Sequence, residues 1–357
     1  MKTHFATAFY ACILTAAIFF LGINSLAAKE KIDKTLVDKK FNVSKGALLR
    51  IEHKFGEVNC KNWNEDAISV KVTASVETSD MKKAESVFSR ITLNVQGNSN
   101  EVSVESDFND KLFEDNKSNL TIKIEIFMPK SVKLQLDHKF GNAYVEVAEG
   151  VSEINSEYGN LEIGALTGEN SSVEIGFGNG KIRNFLSGDI VVNYSNFDVS
   201  EATNLKVEAN YSDFEIDKVV SLKIENEGGK TTIGQVDFLQ ITSKFSDCEV
   251  GQVAKVLNIE NEYGGFAVKN ILKSFTILTV ENSFGSIDLY FEQGSTFNFK
   301  AETSFCTLEY PKDMASFSSR NVSPTESSYQ GVMGKGASNG ANVEIESDYG
   351  GVSIKFN

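Results

Sequence analysis

The tetrapeptide His-Lys-Phe-Gly occurs twice, at His53–Gly56 and at His138–Gly141. With His4 these are all the histidines of the chain. Two imidazoles brought together could begin a zinc site, but zinc takes four N, S or O ligands. No carboxylate stands at the equivalent position of any later repeat, and the next repeat offers Ser156. The plainer expectation is a polar position inside the protein that also accepts Asn226, Ser243, Asn261, Asn282, Thr303 and Ser347. Cys60 and Cys248 fall on inward positions, where cysteine behaves as a small hydrophobe. Cys306 follows Phe305 directly, at a bend where it is more accessible, and no nucleophile motif surrounds it. A third candidate is a run of carboxylates three residues before an aromatic: Glu208, Glu225, Glu260, Glu281 and Glu302, with Glu52, Asp137, Glu174 and Glu346. Stacked in register they form an outward acidic ridge, able to hold calcium or a polycation. Neighbouring carboxylates ~4.8 Å apart repel by roughly 1 kcal/mol in water. Lys206, Lys223 and Lys300, two residues earlier, offset part of that. An ordinary solvated face is the plainer reading.

What positions these residues is a repeat. With the aromatic of Phe-Gly as a ruler, the units are Phe140, Tyr158, Phe177, Tyr194, Tyr211, Phe245, Tyr263, Phe284, Phe305 and Tyr349, each followed by Gly, Ser or Cys. Gly228 fills the slot between Tyr211 and Phe245, so steps of 17 to 19 residues run from Phe140 to Tyr263 and two of 21 follow. Within a unit the apolar residues alternate, as in Leu205, Val207 and Ala209, then Phe214 and Ile216. Period-two alternation marks strands with one buried face. A unit this short cannot close a core alone and must stack on its neighbours. The expected fold is therefore all-β, a single-stranded parallel β-helix or β-solenoid with coils of ~17–21 residues. The aromatic column is expected in the core; a sugar-stacking surface would need these rings to face outward.

Phe55 is followed by Val58, Cys60 and Trp63 at the spacing seen after Tyr211, which makes it the aromatic of a first coil. His53 should then lie beside His138, and Phe55 on Phe140. Between them, residues 67–130 read as strands at 68–76, 91–95, 102–105 and 120–127. A short helix at 81–88 follows Asp80 as N-cap. This excursion is expected to cap the open edge of the first coil, since exposed strand edges recruit other chains. The resulting division is a signal peptide at 1–28, an N-terminal strand and first coil at 29–66, and the capping excursion at 67–130. The β-solenoid follows at 131–310, then a long loop and closing coil at 311–357.

The leader has one lysine, an uncharged run from Phe5 to Ile23 and small residues at Ala27-Ala28, the pattern of an export signal. No later stretch is apolar enough to span a bilayer. The net charge of −14 argues against nucleic acid as a partner. Cysteines this sparse do not make a disulfide framework. The chain is expected to be exported, to the periplasm or cell surface of a Gram-negative bacterium, and to be a monomer.

The leader, the early strand–Phe-Gly–strand unit, the strand–helix–strand excursion, the lead-in Ile124-Glu125-Ile126-Phe127-Met128-Pro129 and the serial repeats resemble the bacterial putative-adhesin family of exported β-repeat proteins. That family is related to the autotransporter-adhesin head domain. The resemblance implies binding or scaffolding, with an envelope or surface ligand, protein or glycan, and no catalytic residues to carry over. Ser195, Ser212 and Ser246 depart from the family's glycine. The competing class is a β-helical polysaccharide hydrolase or lyase. It needs clustered acids or basic groups in a groove walled by long loops, and the central repeats are too short to carry such loops. No cofactor is expected apart from calcium on the ridge.

Overall fold

A computed structural model describes residues 30–108, 120–336 and 338–357. The leader and part of the excursion lie outside these. The described chain is all-β apart from short helical segments, and its 24 strands belong to one continuous sheet.

The strands opening the chain are β1 (Glu30–Asn42), β2 (Leu48–His53), β3 (Gly56–Asn62) and β4 (Ala67–Thr78). The excursion continues with α1 (Met81–Phe88), β5 (Ile91–Gly97), β6 (Glu101–Phe108) and β7 (Leu120–Met128). Helix α1 starts where expected, because the Asp80 carboxylate accepts from the backbone N–H groups of Lys82 and Lys83. Its buried face is Ala84, Val87 and Phe88.

The repeats follow as β8 (Lys133–Lys139), β9 (Gly141–Ala148), β10 (Ser152–Glu157), β11 (Asn160–Leu166), β12 (Ser171–Gly176), β13 (Asn179–Asn193) and β14 (Asn196–Asn210). Then come the long β15 (Asp213–Glu262), β16 (Gly265–Ile271), β17 (Ile277–Ser283) and β18 (Ser286–Phe291). Each repeat contributes a strand before its aromatic and a strand after it. From β10 to β18 each of these pairs in parallel with its counterpart in the preceding repeat. Val207 thus sits between Ile190 and Ile224, and Phe214 beside Phe197. We call one such repeat a rung. Alternate side chains of every rung (Val207, Ile216, Ile224 and their equivalents) enter a single continuous core.

The aromatic residue is where the chain turns, and here the expectation of core burial is overturned. Phe140, Tyr158, Phe177, Tyr194, Tyr211, Phe245, Tyr263, Phe284, Phe305 and Tyr349 all have φ between 50° and 58°. The left-handed conformation breaks the alternation one residue earlier than expected. It throws the ring outward and hands the inward position to the small residue behind it. Tyr211 is exposed while Ser212 is buried. The rings are 44–61% exposed. A left-handed L-residue costs roughly 1–2 kcal/mol. Part of this is returned by stacking: Phe140–Tyr158, Tyr158–Phe177 and Phe177–Tyr194 lie 4.9, 5.0 and 5.2 Å apart and nearly parallel. Such pairs are worth about 0.5–1.5 kcal/mol beyond buried area. The backbone N–H of most of these aromatic residues also donates to the neighbouring rung, Tyr194 to Asn210 O at 3.0 Å for example. Gly228, which lacks a ring, keeps the same left-handed φ of 74°.

The residue behind the ring must be small because the bends lie directly upon one another. A Cβ on Gly159 would stand 1.6 Å from Gly141 O. Where serine replaces glycine, its hydroxyl joins the backbone network. Ser195 Oγ accepts from Gly178 N, and Ser212 Oγ from Ser195 N, at 3.0 and 3.1 Å.

Neither end of the stack follows chain order. At the start, the β2/β3 rung is held between β8/β9 and the excursion strands β6/β7. The excursion thus covers the outer edge of the first rung, with β5, β4 and β1 added antiparallel. At the other end come β19 (Phe297–Ser304), β20 (Leu308–Glu309), β21 (Ala315–Val322), β22 (Glu326–Met333), β23 (Asn342–Asp348) and β24 (Val352–Phe356). Residues expected to form a long loop contain the β21–β22 hairpin, which pairs antiparallel with β19. The final rung does not close the stack. It lies between β17/β18 and β19/β20.

Gly159→Ala should destabilise the protein by about 2 kcal/mol or more, the scale of overpacking. Gly176→Ala, whose added methyl would meet nothing closer than 3.9 Å, should be near neutral. Chemical denaturation of the two variants checks this; equal stability would refute the stacked bend.

Candidate functional site

The histidines are brought together as the repeat register requires. His53 and His138 are Cα partners, their rings 5.4 Å apart and 10° from parallel. Phe55 and Phe140 stack at 5.0 Å. Among the described residues no group of three or more His, Cys, Asp or Glu could hold a metal ion. His138 Nδ1 donates to His53 O at 3.2 Å, and His53 Nδ1 lies 2.8 Å from Ser106 Oγ. Burial, reinforced by the neighbouring His138, pulls the His53 pKa down to about 3. Burial likewise lowers that of His138. Both rings are neutral at physiological pH.

The same inward position continues through the stack as Ser156, Asn226, Ser243, Asn261, Asn282, Ser347 and Thr303, all buried. Its role is visible in the later rungs. The bend turns the carbonyl of the small residue toward the interior, and a buried carbonyl must be paired. Asn261 Nδ2 donates to Gly264 O, Asn282 Nδ2 to Gly285 O and Ser347 Oγ to Gly350 O. The side chains also link to one another, Asn261 to Asn282 at 2.9 Å and Asn282 to Ser347 at 2.9 Å. This is a structural ladder serving the bends.

Cys60 and Cys248 are buried free thiols, as placed from the sequence, and Cys306 is half-buried. Burial pushes the Cys60 pKa up to about 12 and raises that of Cys248. A thiol held in that range is not a nucleophile. Cys306 Sγ lies 3.2 Å from Ser347 O.

The acidic ridge is in register and faces solvent. Glu208 is the partner of Glu225, Glu260 of Glu281, and Glu346 stands between Glu281 and Glu302. Lysines interleave with it: Lys206 donates to Glu208 at 2.7 Å, and Lys300 reaches Glu344 at 2.7 Å and Glu302 at 3.5 Å. These contacts raise the pKa of Lys206 and Lys300, chiefly through hydrogen bonds to Glu208 and Glu344.

The surface that the sequence reading missed runs beside the exposed rings. Two residues after four successive aromatics stand Asn142, Asn160, Asn179 and Asn196, all exposed. Each amide donates to the one before: Asn160 to Asn142, Asn179 to Asn160 and Asn196 to Asn179, all at 3.0 Å. Asn210 donates to Asn193 at 3.0 Å on the other side of the rings. A shallow groove of about 400 Å³ lined by Asn142, Tyr144, Asn160, Glu162, Asn179 and Lys181 adjoins this amide row. The signal was present as asparagine recurring two places behind the aromatic. With the rings assigned to the core, it had no surface to belong to.

No family model matches the sequence, and no curated protein matches it. Among solved structures, a "putative cell adhesion protein" from Clostridium sporogenes is similar over 92% of this chain and 100% of its own, at 12% identity and a TM-score of 0.19. A "putative lipid binding protein" from Parabacteroides distasonis covers 90% and 96%, at 10% identity and a TM-score of 0.30. A "putative adhesin" from Parabacteroides merdae covers 89% and 95%, at 10% identity and a TM-score of 0.28. At these scores the likeness bears neither on the fold nor on the ligand of this chain.

The buried histidines give stability a pH signature. A group whose folded pKa lies below its unfolded value of 6.5 stabilises above that value, and the contribution is lost as pH falls toward about 3. Melting temperature should therefore fall through this window. The double variant His53→Asn/His138→Asn, with the residue used at Asn261 and Asn282, should flatten that part of the profile. An unchanged slope would show that the histidines do not titrate on unfolding.

Proposed function

We propose that this chain is a non-catalytic, adhesin-like binding or scaffold protein of the bacterial envelope, built as a single-stranded parallel β-solenoid. The parallel in-register pairing of strands one repeat apart supports the solenoid. The leader supports export to the periplasm or cell surface. The observation that carries the binding reading is the outward ladder Phe140–Tyr158–Phe177–Tyr194–Tyr211 with the amide row Asn142–Asn160–Asn179–Asn196 beside it. Stacked rings present their edges as a long apolar strip. Amides on its flank offer donors and acceptors without net charge. Together they fit a chain-like neutral glycan lying along the stack, its apolar faces on the rings and its hydroxyls on the amides.

Immobilised protein should retain one or more members of a neutral-polysaccharide panel without shortening them. The double variant Tyr194→Ser/Tyr211→Ser should weaken retention about thirtyfold, each of the two ring contacts being worth of order 1 kcal/mol. Shortened chains would instead favour the polysaccharide hydrolase or lyase. Capture of a protein with no glycan bound would reassign the stripe.

Calcium on the ridge Glu208, Glu225, Glu260, Glu281 and Glu302 remains a separate proposal. Millimolar calcium should raise the melting temperature, because binding to the folded state alone stabilises it. An unchanged melting curve removes the ion.

A further inference from the structure

One place in the ring ladder carries no ring. Tyr211 stacks on Tyr194 at 5.4 Å, and Phe245 stacks on Tyr263 at 5.0 Å. Between Tyr211 and Phe245 the register puts Gly228. The facing sides of Tyr211 and Phe245 therefore have no ring between them. Phe245, at 61%, is the most exposed ring of the ladder.

The rung itself is intact. Ile224, Asn226 and Glu227 pair in register with Val207, Ala209 and Asn210, and Tyr211 N donates to Glu227 O at 2.7 Å. Gly228 keeps the left-handed bend, and Gly229 behind it lies on Ser212, where a Cβ would stand 2.2 Å from Ser212 O. Only the ring is missing.

The size of the gap follows from the stack. Tyr211 and Phe245 are two strand spacings apart, ~9.6 Å. A flat ring needs carbon contacts of about 3.5–4.0 Å on each face, so one ring between two walls takes ~7–8 Å and fits. Two rings would need a third such contact, ~10.5–12 Å in all, and do not fit. The ladder's own rings fill their places in this way, offset-stacked with centroids 4.8–5.4 Å apart.

Tyr211 leans into the place. A Cβ on Gly228 would meet its Cδ1 at 2.9 Å and its Cε1 at 3.3 Å, and Gly228 is buried beneath it. From Phe140 onward its 10° tilt and 5.4 Å separation from Tyr194 are the largest between neighbouring rings. What covers the glycine is thus a loosely stacked, exposed side chain. It clears the place by rotating upright onto Tyr194, with no change of backbone.

We propose that the gap at Gly228 is a binding slot for a small planar aromatic molecule, held by both faces between Tyr211 and Phe245 as the ring of that rung. The occupant is aromatic because every other place of this ladder is built for a flat ring. A pyranose chair is puckered and carries axial hydrogens on both sides. The slot uses ring faces, whereas a glycan along the ladder meets ring edges, so either reading stands if the other fails.

Proton NMR of indole titrated with the full chain tests this. A molecule between two rings is shielded on both faces, so the indole resonances should move upfield and saturate at one site per chain. Phe245→Ser, which removes one wall, should weaken binding about fivefold. Gly228→Tyr puts the chain's own ring in the place and should abolish binding. Tyr158→Gly opens an equal gap between Phe140 and Phe177 and should raise the stoichiometry to two. No saturable upfield shift, or a shift that persists in folded Gly228→Tyr, would overturn the slot. If Gly228→Tyr does not fold, Tyr158→Gly decides, because a stoichiometry that stays at one also overturns it. Displacement of indole by methyl β-glucoside at equal concentration would overturn the aromatic occupant.

Discussion

The repeats of this molecule hang on a left-handed residue at every bend from Phe140 onward. A bulky aromatic is a poor occupant for that conformation, because its Cβ crowds the carbonyl that follows. It is tolerated because the neighbouring rung makes the same bend directly above. Stacking returns part of what the backbone loses. The cost and the compensation therefore appear together, and only in a stack. An isolated repeat would carry the strain with no ring to offset it. The small residue behind the ring, the polar side chain inside the bend and the exposed ring are three consequences of one backbone geometry.

That geometry also explains what was legible in the sequence. The register was readable because it is carried by identity: two His-Lys-Phe-Gly boxes, a ring every 17 to 21 residues, and alternating Val, Ile and Leu between. The adjacency of His53 with His138 and of Phe55 with Phe140 followed from it. So did helix α1, whose cap is local chemistry. The direction of the rings was not readable. Period-two alternation carried through Leu205, Val207 and Ala209 puts Tyr211 inward, and only the sign of φ reverses it. Aromatics seldom adopt a positive φ, so composition pointed the wrong way. The polar column was placed correctly inside, but its purpose depends on where the bend carbonyls point. The position of the last rung was equally hidden. Both β17 and β19 accept it in the same register, and the spacing alone favoured direct contact between them.

The candidate surfaces divide along the same line. The inward residues that first drew a chemical reading are consumed by the architecture: two neutral imidazoles, two raised thiols and a column of hydroxyls and amides. The outward ones are left over. The ring ladder, the amide row and the lysine-laced acidic ridge recur from rung to rung because the stack repeats, with a gap in the rings at Gly228 and gaps in the acids at Val191 and Thr242.

Each end of the stack is closed by added strands, the excursion at one and the β21–β22 hairpin at the other, next to a rung lodged between two others that are not both its sequence neighbours, while the middle is a plain succession of units of similar length. Length is therefore a quantity that a gene can edit. Copying or deleting a unit at either end would disturb a closure. One 17-residue unit added or removed between Phe177 and Tyr211 leaves both closures untouched. A unit added there would extend the ring ladder by one place.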